Sequence, residues 1–270
     1  MTAGLPKHAT ILVTGGAGFI GSGLVPMLLN AGYRVRVLDN LSSGSADALA
    51  AYDVELVTGD IRDAQTVDRA VRGVDGIVHL AAHTNVIDSI QDPVMDYAVN
   101  VGGTLNLLMA AREHKVARFV FASSNAPIGE NTPPIDEEKP ARPLSPYGAS
   151  KLAGEGYCSA FHGSYGLGTV ILRFANVYGP RSTHKGSVVA KFIKDAMSTG
   201  TLTIYGDGEQ TRDFIHVDDL ARAIIAGLES DCGGETFQIA TGSETRIIDL
   251  AHSIQAAFPD RKIVDRKSVV

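Results

Sequence analysis

Residues 10–21, Thr-Ile-Leu-Val-Thr-Gly-Gly-Ala-Gly-Phe-Ile-Gly, constrain the fold more than any other stretch of this chain. Ile11, Leu12 and Val13 form a short apolar run, mostly β-branched, that reads as a buried strand. Gly15, Gly18 and Gly21 recur at every third position, and Phe19, Ile20, Leu24, Val25, Leu28 and Leu29 carry a helical apolar stripe. Strand, glycine turn and helix in that order let backbone N–H groups and the positive end of a helix dipole meet a pyrophosphate. The spacing is GxxGxxG rather than GxGxxG, so the general dinucleotide fingerprint is met only loosely, and a tight strand-to-helix connection is the competing reading.

Tyr33 to Leu38 alternates as a second strand and ends at Asp39, about 20 residues beyond the glycines, where a carboxylate accepts the ribose hydroxyls of a bound dinucleotide. A carboxylate there repels a 2′-phosphate, which favours NAD over NADP. An ordinary turn at Asp39-Asn40 is the alternative. Further on, strand patterns at 54–57, 76–80, 118–122 and 170–173 alternate with helical patterns at 63–72, 94–113 and 146–165. This alternation implies a parallel, doubly wound α/β sheet with its ligand across the carboxyl ends of the strands. A proline-rich stretch from Asn131 to Pro146 reads as a surface loop, and Gly179 to Gly186 is irregular. Helices near 187–199, 218–228 and 246–258, with strands at 202–205 and 236–239, complete the pattern.

The 270 residues suffice for one large domain or two small ones. A net charge of −6 gives no electrostatic footprint for nucleic acid. Cys158 and Cys232 are the only cysteines and stand in no CxxC pattern, so neither a metal site nor a disulfide framework is expected. No apolar run approaches a membrane span and residues 1–9 lack an apolar core, which leads to the expectation of a soluble, cytoplasmic protein.

Ser145-Pro146-Tyr147-Gly-Ala-Ser-Lys151 carries the chemistry. Pro146 suits the first turn of a helix, and Tyr147 and Lys151 then share a face at i and i+4. A nearby ammonium favours the phenolate, so the pair suits proton exchange with a hydroxyl undergoing oxidation. A surface helix in which Tyr and Lys merely coincide is the alternative. Ser123 and Ser124 follow the fifth strand, where a hydroxyl can bond the same substrate oxygen.

These segments together resemble the NAD-dependent sugar epimerase/dehydratase family of extended short-chain dehydrogenase/reductases. The resemblance rests on Thr14 to Gly21, Asp39-Asn40, Gly59-Asp60-Ile61, His79-Leu-Ala-Ala82, Asn100 to Thr104, Ser123-Ser124, Tyr147 to Lys151, Arg173 to Arg181 and Ile204 to Val217. It implies a Rossmann-type NAD-binding domain over 1–173 and a smaller substrate lobe over 174–270, with the strand near 236–239 free to rejoin the main sheet. It further implies that Gly15, Gly18, Phe19, Ile20, Asp39, Asn40, Asp60 and Ile61 hold the adenosine and pyrophosphate. Leu80, Ala81 and Ala82 would line the path to the nicotinamide half, which falls to Asn100, Tyr147 and Lys151. Ser124, Tyr147 and Lys151 would be catalytic, Asn176 would touch a nucleotide sugar, and Arg212 its diphosphate. His79, His83 and His216 read as structural or contact residues rather than bases. The 94–113 and 146–165 helices resemble those that pair family members into homodimers.

Two departures stand out. Pro127-Ile128-Gly129 replaces a usual Tyr-Gly, and the chain ends at Val270 before the Arg-x-Gly-Asp-type segment that completes the family's substrate pocket. Among family reactions, 4,6-dehydratases place acids just after the serine, and decarboxylating relatives carry a nearby glutamate. Here the positions are Asn125-Ala126. Epimerisation of a UDP-sugar at C4 is the remaining expectation; dehydration, decarboxylation and a non-catalytic dinucleotide-binding protein are the alternatives.

Overall fold

The computed structural model describes residues 4–182 and 186–266. The irregular Gly179–Gly186 segment and the end of the chain therefore fall partly outside the described residues. The sheet forms from β1 (Thr10–Thr14), β2 (Arg34–Asp39), β3 (Glu55–Thr58), β4 (Gly76–His79), β5 (Arg118–Ser124) and β6 (Gly168–Phe174). With the strand Thr236–Ile239 they make seven parallel strands, ordered Thr236–Ile239, β6, β5, β4, β1, β2, β3. β1, β4 and β5 are buried almost throughout, so their apolar residues run consecutively rather than alternating.

The connecting helices are α1 (Phe19–Asn30), α2 (Ala64–Val71), α3 (Val86–Gln91), α4 (Pro93–Tyr97), α5 (Thr104–Glu113) and α6 (Pro146–Tyr165). A wide, π-helical segment at Ala98–Gly103 joins α4 to α5, which resolves the single helix expected over 94–113 into three pieces. Leu12, Leu38, Ile77, Leu107, Leu108, Phe119 and Phe121 are all fully buried in one cluster between sheet and helices. The strand order reverses between β1 and β4, and in sheets of this kind ligands bind outside the carboxyl ends of strands at that reversal. The glycine turn follows β1 there.

The chain divides into two compact units, Met1–Phe174 with Asp218–Ile239, and Ala175–Val217 with Ala240–Val270. The continuous lobe read over 174–270 is therefore interrupted. The helix Val217–Glu229 buries Leu220, Ala221, Ile224 and Leu228, and the strand behind it pairs with β6, from Thr236 opposite Ile171 to Ile239 opposite Phe174. That pairing satisfies an edge of β6 that would otherwise lie open.

In the second unit, Thr201–Tyr205 pairs in parallel with Lys262–Arg266. Helices Val188–Ser198 and Ile247–Ala257 pack on this pair around Phe192, Ala196, Leu202, Ile204 and Ala251. Two small ladders join Asn176–Tyr178 to Phe214–His216 and Thr211–Arg212 to Thr245–Arg246. Among the described residues no helix is long and apolar enough to cross a membrane.

Candidate active site

The glycine turn is shaped by sterics as much as by flexibility. Gly15 has φ +70°, and a Cβ there would lie 2.7 Å from the Ala81 nitrogen. No L side chain fits between β1 and the exit of β4. Gly18 is the N-cap of α1 and contributes no side-chain cap, so the first N–H groups of the helix are not closed off by a side chain. Phe19 and Ile20 open that helix and are half-buried.

Asp39, at the end of β2, is held by the turn itself: its Oδ2 accepts the Ala17 N–H at 2.9 Å and its Oδ1 the Leu41 N–H at 2.8 Å. Each carboxylate oxygen keeps a lone pair beyond these bonds. Beside it, Asn40 donates to Asp60 at 3.0 Å. Hydrogen bonds from Arg62 hold the Asp60 carboxyl well below the usual carboxylate range, against the opposing effect of burial. Ile61 turns into the core. Leu80 and Ala81 donate their N–H groups to the Thr14 carbonyl and hydroxyl, which holds the Leu80–Ala82 segment along the end of β1.

The acid–base end is built on α6. Ser145 caps the helix by accepting the Gly148 N–H at 3.1 Å, and Pro146 occupies the first turn. The Tyr147 N–H, which the helix cannot satisfy, finds the Ser89 hydroxyl of α3 at 3.2 Å. The Tyr147 side chain is buried and hydrogen-bonded to Ser124 at the end of β5. Alternation along β5 sends the preceding Ser123 the other way, where it donates to Glu155 at 2.5 Å. Glu155 forms a buried, two-pronged ion pair with Arg173 at 3.0 and 2.8 Å, tying α6 to both β5 and β6.

The Lys151 Nζ donates to the Ala122 carbonyl at 2.8 Å and stands 5.0 Å from the centre of the Phe121 ring. Burial pushes the Tyr147 hydroxyl up; the Ser124 hydrogen bond acts against that, and the buried Asp96 charge adds to it.

Asn100 lies inside the first unit. It is buried, its Oδ1 accepts the His83 N–H at 2.8 Å, and its Nδ2 faces the His83 carbonyl, Asp96 and the Ser150 hydroxyl at 2.8, 2.9 and 3.2 Å. Asn100 thus clamps the strand-exit loop to α6 from within. His79 is structural, as expected from the sequence. Thr104 gives its proton to the Asn100 carbonyl at 2.6 Å, so it receives Nε2–H of His79, and Nδ1 accepts from Thr14. Burial, aided by Lys151, drives the His79 imidazole down to about 3, and it stays neutral.

Asn176 and Arg212 both belong to the second unit and line one cavity of about 300 Å³ with Phe192, Tyr205 and Gln210. Asn176 donates to the Asp213 carbonyl at 3.2 Å, and the exposed Arg212 guanidinium donates to the Thr211 carbonyl at 2.7 Å. The sequence did not single out Ser89, Asp96, Ser150 or Glu155. Each acts through burial against another element, and no spacing along the chain signals that.

The family model described as NAD dependent epimerase/dehydratase family matches residues 11–240. The chain belongs to that family. Within it, a UDP-glucose 4-epimerase of Mycolicibacterium smegmatis is 40% identical over 255 residues, covering 91% of this chain and 82% of the relative. A dTDP-glucose 4,6-dehydratase of Streptomyces niveus is 38% identical over 256 residues, covering 90% and 76%. The crystal structure of the UDP-glucose 4-epimerase of Thermus thermophilus in complex with NAD superposes with a TM-score of 0.89 at 38% identity, covering 96% of this chain and 86% of that one. The first unit suits the family's NAD: the turn at Gly15 excludes side chains, the N-cap of α1 is bare, and the Asp39 carboxylate is oriented beside both.

Proposed function

We propose that this chain catalyses NAD-dependent epimerisation of a nucleoside-diphosphate sugar, a UDP-sugar inverted at C4. The observation that carries this reading is the Tyr147–Ser124 hydrogen bond at the carboxyl end of β5, with amide-bearing Asn125 as the next residue. Asn125 is bonded to Gln238 and offers no acid or base for the loss of water. The Streptomyces relative supports dehydration as a second reading, but that reaction needs an acid–base pair where this chain has Asn125-Ala126.

Bound NAD would supply the hydride chemistry at C4. The chain supplies the rest. Asp39, Asn40, Asp60 and Ile61 hold the adenosine half, and Gly15, Gly18, Phe19 and Ile20 hold the pyrophosphate. Leu80 to Ala82 line the way to the nicotinamide ribose, which Lys151 engages. Tyr147 takes the proton of the C4 hydroxyl as hydride leaves, and Ser124 bonds the same oxygen. When hydride returns, Tyr147 gives the proton back, so proton and hydride both balance over the cycle. Asn176 contacts the nucleotide sugar and Arg212 its diphosphate.

The test is to incubate the purified protein, with NAD, with UDP-galactose and with UDP-N-acetylgalactosamine, and to follow products by NMR and mass. Interconversion with the C4 epimer at unchanged mass is expected. A product lighter by one water, or no conversion of any nucleotide sugar, overturns the proposal.

A further inference from the structure

Asp213 follows Arg212 directly, and its carboxylate is committed to the chain itself. The Thr241 N–H is shared between Oδ1 at 3.0 Å and Oδ2 at 3.1 Å, and Oδ1 also accepts the Thr241 hydroxyl at 2.9 Å. Oδ2 further accepts the N–H groups of Gly242 at 2.7 Å and Ser243 at 3.2 Å. Three successive main-chain N–H groups that converge in this way form an anion-binding nest, and Gly242 at φ +71° supplies its left-handed bend. The anion in this nest is a side chain of the same chain.

The main-chain carbonyl of Asp213 is engaged as well. It accepts the N–H of Asn176 at 3.0 Å and the Asn176 Nδ2 at 3.2 Å. The nest in turn leads into Thr245–Arg246, which pairs with Thr211–Arg212 and sets Thr245 opposite Arg212. Arg212 thus sits in a closed circuit, from the carboxylate of the next residue to the nest, and from the nest through the ladder back to Arg212. The second unit is made of two separate segments, 175–217 and 240 onward. Asp213 holds the start of the first by its carbonyl and the start of the second by its side chain.

Both residues fixed in this way line the cavity of the second unit, and Arg212 brings that cavity a positive charge. By charge alone Asp213 is the wrong neighbour, since a carboxylate beside that cation opposes a bound diphosphate. We propose that Asp213 is a positioning residue for the nucleotide sugar, a staple that sets Arg212 and Asn176 on the cavity by filling the 241–243 nest. It acts through those two side chains, and the inference rests on the proposed nucleotide-sugar substrate.

The experiment titrates UDP by calorimetry into the full chain saturated with NAD. The variants are Asp213→Asn, Gly242→Ala, Arg212→Ala, and Asp213→Asn combined with Arg212→Ala. Asn is isosteric but offers one acceptor oxygen in place of two. Gly242→Ala strains the nest from the loop side: its Cβ meets nothing within 4 Å, so only the positive φ is disturbed. Asp213→Asn is expected to weaken UDP binding by roughly tenfold and Gly242→Ala by about threefold, with NAD affinity unchanged. In the Arg212→Ala background Asp213→Asn should lose most of its effect. The sign separates positioning from charge, because removal of a negative charge beside Arg212 would by itself tighten UDP. Equal or tighter UDP binding by Asp213→Asn overturns the proposal, and so does a loss of full size in the Arg212→Ala background. Should Asp213→Asn not fold, Gly242→Ala decides, and an unchanged UDP affinity there overturns the proposal too. Failure of the unaltered protein to bind UDP refutes the nucleotide-sugar reading, and the inference falls with it.

Discussion

At the residue scale, Tyr147 bears most of the mechanism and depends most on its surroundings. Tyr147→Phe keeps the buried ring and removes only the ionisable oxygen, so the fold and NAD binding should survive while kcat falls by ~10²–10⁴-fold or more. Lys151→Met should lose comparable activity and weaken NAD binding as well. Ser124→Ala should cost less, since water can replace one hydroxyl. Retention of most activity by Tyr147→Phe would remove Tyr147 from the mechanism. Burial pushes the Tyr147 phenol up, and the Ser124 hydrogen bond acts against that. The cofactor preference belongs to this scale too. Asp39→Ala should narrow the ratio of NAD to NADP affinity, measured by fluorescence titration, and equal binding by the unaltered protein would refute the assignment.

Among the elements, β4 offers a pH dependence whose direction follows from His79. In the folded protein that imidazole is pushed down to about 3, chiefly by burial, whereas an unfolded histidine titrates near 6.5. Between these values unfolding takes up a proton, so stability is lost as pH falls below the unfolded value, by about 1.4 kcal/mol per pH unit from this group. Urea midpoints at pH 7 and 5 should therefore diverge more for the unaltered protein than for His79→Asn, and parallel shifts would refute it. The same scale explains what the sequence discloses. α6 runs from Pro146 to Tyr165 as its pattern predicts, because Ser145 caps it, Pro146 starts it and Gly166 at φ +72° ends it. Consecutive apolar residues located the main strands, since those strands are buried on both faces. α3 and the short ladders of the second unit were not legible: six residues hold less than two helical turns, and a two- or three-residue strand exists only through its partner. In the candidate site, the glycine turn, Tyr147 and Ser124 were legible from type and spacing. The direction of Lys151 and the inward turn of Asn100 were not, because the neighbours that fix them come from distant parts of the chain.

For the molecule as a whole, the exposed apolar side chains on α4, α5 and α6 call for a partner. Val94 is 75% and Tyr97 63% exposed, Met109 and Tyr165 are exposed as well, and Arg112 stacks 4.8 Å from the centre of the Tyr165 ring. We expect a C2 homodimer through this helical face, of a size that buries roughly 1,000 Å² or more. Light scattering at micromolar concentration should give twice the chain mass, and a monomer would count against it.

The return of Asp218–Ile239 to the first unit bears on how such a protein can be recombined. Its second unit is not one continuous stretch but two segments, 175–217 and the segment from 240 onward, with the last strand of the sheet lying between them in the chain. Exchange of the second unit between relatives must therefore be made in two segments while Val217–Glu229 and its strand stay with their native scaffold. A chain stopped at Phe174 would leave β6 unpaired along its outer side, and such an edge invites self-association.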